Sequence, residues 1–300
     1  MSLVVGSGIT VESGVTIASD NLLLSLDAAT YSNTTTGTQQ NVSGTSDNIG
    51  FFPYGWPAYS AIQPGWTCVQ TGAVVTVVDG VSFTITTVGT PFTSGDSYTF
   101  TSAVSWIDSV SNRTFILNNG VTYSSSNGGT LLFDTASNQY AQCASSLPDL
   151  PTWSVIVWHY YTNTNSGSSP CIITEVYPGT TGKINYVLGS AVTTGLQAAY
   201  FAPGWVFTDP TYNLTPDTWN QIVGTYDGNI ISLYVNNSLV AASSNNNLAG
   251  SSNGGINLMR RWDSADFWGG YLSIVKVYAG SIGAGGVADD WAANAARFGL

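Results

Sequence analysis

Three segments near the C-terminus, TWNQIVGTYDG (218–228), ISLYVNNSLV (231–240) and FWGGYLSIVKVYAG (267–280), decide the fold. They read as successive antiparallel strands. In the second, Ile231, Leu233 and Val235 fall on one face and Ser232, Tyr234 and Asn236 on the other. That alternation is the mark of a strand buried on one side. The period then changes. In the closing GGVADDWAANAARFGL, Val287, Trp291, Ala295 and Phe298 recur at helical spacing and form one apolar stripe. Asp289 and Asp290 lie towards the helix start and Arg297 near its end, as the helix dipole favours. Gly299 supplies a stop.

Upstream, the chain continues as short strands between turn signals. WSVIVWHYY (153–161), CIITEVY (171–177), INYVLGS (184–190) and LQAAYF (196–201) are strand candidates. Residues 105–143 hold several more, separated by Asn-Gly and Gly-Gly pairs. NLLLSLDAATY (21–31) is a dense apolar strand after a glycine-spaced arm, residues 1–20. Residues 41–104 differ in character. FFPYGWPAYSAIQPGWT (51–67) is aromatic and Pro-rich, which excludes a helix. AVVTVVDGVSFTITTVG (73–89) reads as a hairpin turning at Asp79-Gly80, and SGDSYTFTSAV (94–104) as another strand. The expected organisation is an arm (1–20), one all-β antiparallel sandwich (21–40 with 105–300) closed by a short helix, and a small β insertion (41–104).

Composition narrows the partners. Only 8% of the 300 residues are charged, and the net charge is −11 with a pI near 4.1. Average globular proteins carry about 25% charged residues, so Ser, Thr, Asn and Gly do the solubilising here. An acidic chain with no basic cluster is repelled by nucleic acid and by anionic lipid. No apolar run approaches a membrane span. MSLVVGSGIT has no basic n-region and no continuous apolar run, so no export signal is expected. Five Asn-x-Ser/Thr sequons, at Asn33, Asn41, Asn112, Asn213 and Asn236, fit chance in an Asn/Thr-rich chain. Cys68, Cys143 and Cys171 make neither a metal spacing nor a disulfide framework; a Cys143–Cys171 bridge and free buried thiols both stay open.

These residues resemble a known family. Trp219 with Tyr226-Asp227-Gly228, then Leu233-Tyr234-Val235-Asn236, are similar to strands of the laminin-G-like branch of concanavalin A-like lectins and glucanases, with Asn237 where that family usually has Gly. Phe267 to Tyr278 resemble its following strand. Trp106, Asp108, Ser111 and Asn112 resemble a W-x-D-x-S-G-N turn lacking its glycine, and Asn127-Gly128-Gly129 through Phe133-Asp134 resemble a GGSLxFDG strand. The resemblance implies a jelly roll. The ending Asn294–Leu300 and the arm before LLLSLDAATYSN resemble versions of this module in tailed phages and large viruses.

Chemistry is sparse. A glycosidase needs two carboxylates flanking the bond, and Glu175 is the only glutamate outside the arm, with no acidic residue alternating beside it. His159, the single histidine, shares a face with Val155, Val157 and Tyr161 and reads as packed and capped by a neighbouring hydroxyl. No G-x-S-x-G motif or phosphate-cradling loop occurs. The resemblance leaves calcium open: Asp108 with Asn112, Asp227 with Asn229, and Asp263 with Asp266 are candidate oxygen pairs, against the plainer reading of turn-makers. MRRWDSADFW (259–268) combines Arg260, Arg261, Trp262, Asp263, Asp266 and Trp268, aromatic faces and forked polar groups of the kind that recognise sugars. The plainer alternative is an Arg–Asp pair with Trp packed at the sandwich edge. Val4, Val5, Ile9 and Val11 in the arm and Trp56, Tyr59 and Trp66 in the insertion are assembly candidates; the arm is expected to order only against a partner.

The expected function is a non-enzymatic virion structural protein of a tailed phage or similar virus, as capsid decoration or a tail or fibre part. It would lie on the external surface, contact other virion proteins and copies of itself, and reach host-surface glycans. It requires no cofactor beyond the open question of calcium. The alternatives are a microbial carbohydrate-binding module or adhesin at the cell surface or outside the cell, and a glycan hydrolase or lyase, which would depend on Glu175.

Overall fold

The computed structural model describes residues 21–31, 36–39, 67–70, 73–79, 82–84, 98–101, 105–175, 184–190, 195–201, 205–209, 211–244, 254–262 and 266–300. The chain divides into two compact units, Met1–Tyr31 with Trp106–Leu300 and Ser32–Ser105. β1 (Leu22–Asp27) opens the first unit. The second unit contains β2 (Thr36–Gln39), β3 (Thr67–Gln70), β4 (Ala73–Asp79), β5 (Ser82–Thr84) and β6 (Tyr98–Thr101). The first unit resumes within β7 (Ser105–Ile107), at Trp106, and continues with β8 (Thr114–Asn118), β9 (Thr122–Ser124), β10 (Thr130–Phe133), β11 (Tyr140–Cys143) and β12 (Trp153–Tyr161). It continues with β13 (Cys171–Glu175), β14 (Ile184–Ser190), β15 (Leu196–Phe201), β16 (Trp205–Phe207) and β17 (Thr218–Tyr226). It ends with β18 (Ile230–Val235), β19 (Ser238–Ser244), β20 (Ile256–Leu258), β21 (Gly270–Ala279) and the helix α1 (Gly283–Asn294), followed by a 3-10 turn at Ala295–Phe298.

The larger unit is the expected antiparallel β-sandwich. One sheet runs β19-β18-β17-β12-β21-β10-β9, and β1 shares an edge of β21 with β10. The other runs β16-β15-β14-β13-β20-β11-β8-β7. Trp153, Val155 and Val157 from the first sheet meet Tyr186, Leu188 and Ala198 from the second in one continuous core. At Gly224 of β17 a methyl group would sit 2.7 Å from Leu188 Cδ2, so glycine is what lets the layers close there. In the second unit, the strands order β2-β6-β3-β4-β5; β4 and β5 pair antiparallel with Asp79 opposite Ser82, so Asp79 ends a strand and residues 80–81 lie outside the described ones. Thr36–Gln39 belongs to this unit because β2 pairs with β6.

The strand WSVIVWHYY is buried on both faces, unlike a half-exposed strand. The reason is the predicted helix. Its stripe of Val287, Ala295 and Phe298 covers Ile156, Trp158, Val223 and Ile274 on the outer face of the first sheet. Phe298 stacks on Trp158 at 4.6 Å, and Gly299 ends the segment in the left-handed region, φ 74°. Asn237 stands where the family usually has Gly and adopts positive φ, 61°, as does Asn112, 57°, in the turn that lacks the family's glycine. Asparagine is the residue that best tolerates that region after glycine. No helix among the described residues is long and apolar enough to cross a membrane.

Candidate functional site

At one end of the sandwich, three connections enclose a cleft of about 470 Å³. β12 delivers Tyr161 to its wall, the segment after it supplies Asn163, Asn165 and Ser168, residues 211–216 supply Tyr212 and Asn213, and Trp268 comes from the run into β21. Backbone pairing fixes these segments. Ser166 and Phe267 exchange hydrogen bonds at 2.9 and 3.3 Å, and Leu196 and Tyr212 exchange theirs at 2.6 and 3.0 Å. Asn165 Oδ1 accepts from Gly269 N at 3.2 Å. The Tyr161 hydroxyl donates to Asn163 Oδ1 at 2.8 Å, and burial raises the pKa of that hydroxyl. The Trp268 ring lies 5.9 Å from that of Tyr161.

One glycine is required here. Gly167 has φ +78°, and a side chain on it would collide with the Asp266 carboxylate. Asp266 is buried, and its Oδ2 accepts from Ser169 N at 2.8 Å and from Arg261 Nη1 at 2.6 Å. It therefore braces the loop from behind. His159 lies deeper still, wholly buried, with Trp268 edge-on at 6.3 Å. Its Nε2 pairs with Gly269 O at 3.2 Å, so the cap is a backbone carbonyl and not the expected hydroxyl. Burial lowers its pKa to about 3 despite that carbonyl, which holds the ring neutral. Among the described lining residues there is no Asp, Glu, His, Lys or Arg. The described lining consists of Tyr161 and Tyr212 rings, the edge of a nearly buried Trp268, aliphatic Pro170, Leu196, Leu214 and Pro216, amides and a hydroxyl.

The predicted stretch 259–268 is split by the fold. Trp268 lines the cleft and Asp266 sits behind it. Arg260 is buried, with its guanidinium 3.8 Å from the Tyr140 ring and Nη2 donating to Asn257 Oδ1 at 3.3 Å. Arg261 is paired to Asp266 and lies 5.5 Å from the Trp262 ring. Trp262 packs against Cys171, Val187 and Ala199 and lies 4.7 Å from Trp205. Asp263 lies outside the described residues. Tyr161, Tyr212 and the asparagines were missed by sequence reading. The available signal was the concentration of Asn and Tyr in 161–165 and 212–213 at strand ends.

Of the oxygen pairs considered for calcium, Asp108 with Asn112 and Asp227 with Asn229 sit in separate turns, and Asp263 of the third lies outside the described residues. Asp108 is wholly buried and accepts from Ser25 N at 2.8 Å, Val110 N at 3.0 Å and Ser111 N at 3.1 Å, while Asn112 is exposed. Asp227 Oδ1 accepts from Asn229 N at 2.8 Å and Ile230 N at 2.7 Å. Among the described residues, no three His, Cys, Asp or Glu side chains are grouped to hold a metal. Cys143 and Cys171 are buried and not joined by a disulfide. Glu175 is wholly buried in β13. The assembly candidates Val4, Val5, Ile9, Val11, Trp56, Tyr59 and Trp66 lie outside the described residues.

A family model described as the concanavalin A-like lectin/glucanases superfamily matches residues 133–288, just over half of the chain. The chain belongs to that superfamily. The match runs from the end of β10 into α1, so it takes in every segment that builds the cleft. Among solved structures, this member of the superfamily resembles domain 4 of AbnA, a GH43 extracellular arabinanase from Geobacillus stearothermophilus, in complex with arabinotriose. The TM-score is 0.51 at 12% identity, over 61% of this chain and 90% of that one. At such identity the likeness speaks to the fold alone. The binding domain of botulinum neurotoxin serotype G aligns with a TM-score of 0.48 at 17% identity, over 63% of this chain and 48% of that one. The binding domain of Paraclostridial Mosquitocidal Protein 1 aligns at 0.47 and 13%, over 62% and 49%. This chain thus spans about half the length of the two toxin domains. No curated protein sequence matches it.

Proposed function

We propose that this chain is a non-catalytic recognition module whose end cleft takes an uncharged sugar, and that it serves as a structural component on the surface of a virion. One observation carries the first part: Tyr161, Tyr212 and Trp268 share the cleft with Asn163, Asn165 and Asn213, and no acid, base or cation is among its described lining residues. Sugars present C–H faces that pack on aromatic rings, and hydroxyls that amide groups both donate to and accept from. Glycosidic hydrolysis needs a proton donor and a second carboxylate. The nearby carboxylate, Asp266, is committed to Arg261 and Ser169, and Glu175 is wholly buried in β13. The arabinanase domain of similar fold was solved with a neutral trisaccharide, which supports the same class of ligand here.

The virion setting rests on different ground, the similarity of the arm and of the Asn294–Leu300 ending to phage and large-virus proteins, together with the low charge that suits dense subunit packing. Glycan-array binding tests the first part. The protein is expected to retain neutral glycans, and Tyr212→Ala to release them while the protein stays folded; array silence, or an unchanged profile in the variant, refutes it. Mass spectrometry of purified particles tests the second, and a monomer absent from particles refutes it.

A further inference from the structure

We infer a second carbohydrate site, on the outer face of the first sheet, that takes an extended chain of uncharged sugar rings laid across the strands. Strand register places Trp219 opposite Tyr160, Tyr160 opposite Tyr271, Tyr271 opposite Leu132, and Leu132 opposite Thr122. These five positions make one straight row over β17, β12, β21, β10 and β9. At about 4.8 Å per strand the row is about 19 Å long, enough for several consecutive rings. Its members are half-buried, apart from exposed Thr122, and they floor a groove of about 560 Å³.

The floor is held rigidly. Trp219 and Tyr271 both meet Tyr160 near edge-on, each at 5.7 Å, with interplanar angles of 66° and 81°. Edge-to-face packing fixes the rings before a ligand arrives, so little rotamer freedom is lost on binding. Phe298, at the end of the C-terminal segment, lies 4.5 Å from Trp219. The same segment anchors one rim. Asn127 Nδ2 donates to Arg297 O at 3.2 Å, and Arg297 Nε donates to Asn127 O at 2.6 Å. Ser124 and Ser126 continue that rim, buried Thr130 lies beneath it, and Thr162 with Asp217 forms the opposite one.

This chemistry selects its occupant. Aromatic floor with hydroxyl and amide rims suits C–H faces and ring hydroxyls. Asp217 is the only charged side chain among the described lining residues, and the protein carries −11 overall, so an acidic chain is disfavoured. A peptide adding a strand needs an unpaired sheet edge, whereas this is a face whose backbone groups are spent on neighbours within the sheet. Tyr160 and Tyr161 point to opposite sides of β12, and the two sites share no described lining residue. The groove therefore stands whether or not the end cleft binds sugar.

The test is calorimetry of the whole chain with cello-, manno- and xylo-oligosaccharides from disaccharide to octasaccharide. Affinity for at least one series is expected to rise with length and level off once the chain outgrows the row. Tyr271→Ala should weaken the longest chain about tenfold and leave disaccharide binding unchanged. Should Tyr271→Ala unfold the protein, Ser126→Trp, at an exposed rim position, obstructs the groove without touching the core. Tyr212→Ala in the end cleft should spare the length dependence. Affinity independent of length, long-chain binding unchanged in both groove variants, its complete loss in Tyr212→Ala alone, or no binding of any of these chains overturns the inference.

Discussion

Asp290 Oδ1 lies 2.6 Å from Lys276 Nζ, and the aspartate is wholly buried between helix and sheet. Its other oxygen accepts from Trp158 Nε1 and Gln221 Nε2, each at 2.9 Å. A carboxylate that suits the dipole of a surface helix by sequence thus turns out to be the polar bolt joining α1 to β12, β17 and β21.

Removing that carboxylate strands a lysine and the Trp158 indole N–H, and leaves Gln221 Nε2 with Val287 O alone. Asp290→Ala is expected to cost about 3–5 kcal/mol of unfolding free energy, the range for breaking a buried pair from one side. Chemical denaturation measures it. Lys276→Met alone should also destabilise, while Asp290→Leu with Lys276→Met should recover part of the loss, because no charge is then left buried. A double variant as weak as the sum of the single ones would show that the two residues act independently.

His159 sets a pH dependence whose sign is fixed. Its ordinary value is 6.5, and burial lowers it to about 3 in the folded chain. Between those values the unfolded chain binds a proton that the folded one refuses, so this stability is complete above 6.5 and is lost as pH falls towards 3. Relative to pH 7, about 3 kcal/mol should be gone near pH 4. His159→Gln keeps a donor for Gly269 O but cannot titrate, so its unfolding free energy should fall less steeply over the same range. Parallel slopes in parent and variant would mean the ring takes up its proton normally.

Period and turn chemistry made the sandwich legible, because both are local. The alternation in 231–236 and the helical stripe at Val287, Trp291, Ala295 and Phe298 follow from side-chain direction alone, and both reappear in the core. The site was less legible because it is assembled from distant segments. Trp268 stood out in sequence beside Arg260 and Arg261, yet the bridge that pairs Arg260 with Phe267 sends their side chains to different places: Arg260 to Tyr140 and Trp268 to the cleft. Tyr212 and Asn213 are marked locally only by their Tyr-Asn composition; the bridge from Leu196 to Tyr212 is what brings them in. Likewise, nothing in WSVIVWHYY says which of its two buried faces belongs to the sandwich core and which lies under the helix.

Asp108 gives a prediction about metal. Its oxygens already receive backbone donors from Ser25, Val110 and Ser111, and Arg113 Nη1 lies 3.5 Å away. Calcium needs six or more oxygens, and seating it here would displace donors that join this turn to β1. Chelation with EDTA, or added calcium, should leave the melting temperature within about one degree. Asp108→Ala should lower it by several degrees through the orphaned amides. A calcium-dependent rise abolished by Asp108→Ala would reverse this reading.

The end cleft predicts how its ligand responds to salt. Interactions between charges weaken as the Debye length shrinks from about 14 Å in 50 mM salt to about 4 Å in 500 mM. Aromatic stacking and amide hydrogen bonds carry no such dependence. With no charged side chain among the described lining residues, affinity for a neutral glycan should change less than about twofold over that range. A sialylated counterpart of the same glycan should bind more weakly at low salt and partly recover at high salt, since the −11 net charge repels it and salt screens the repulsion. Titration of paired neutral and sialylated glycans at both ionic strengths measures this. Tighter binding of the sialylated form at low salt would require a cation at the ligand, and the arrangement of Tyr161, Tyr212 and Trp268 with asparagines alone would not account for it.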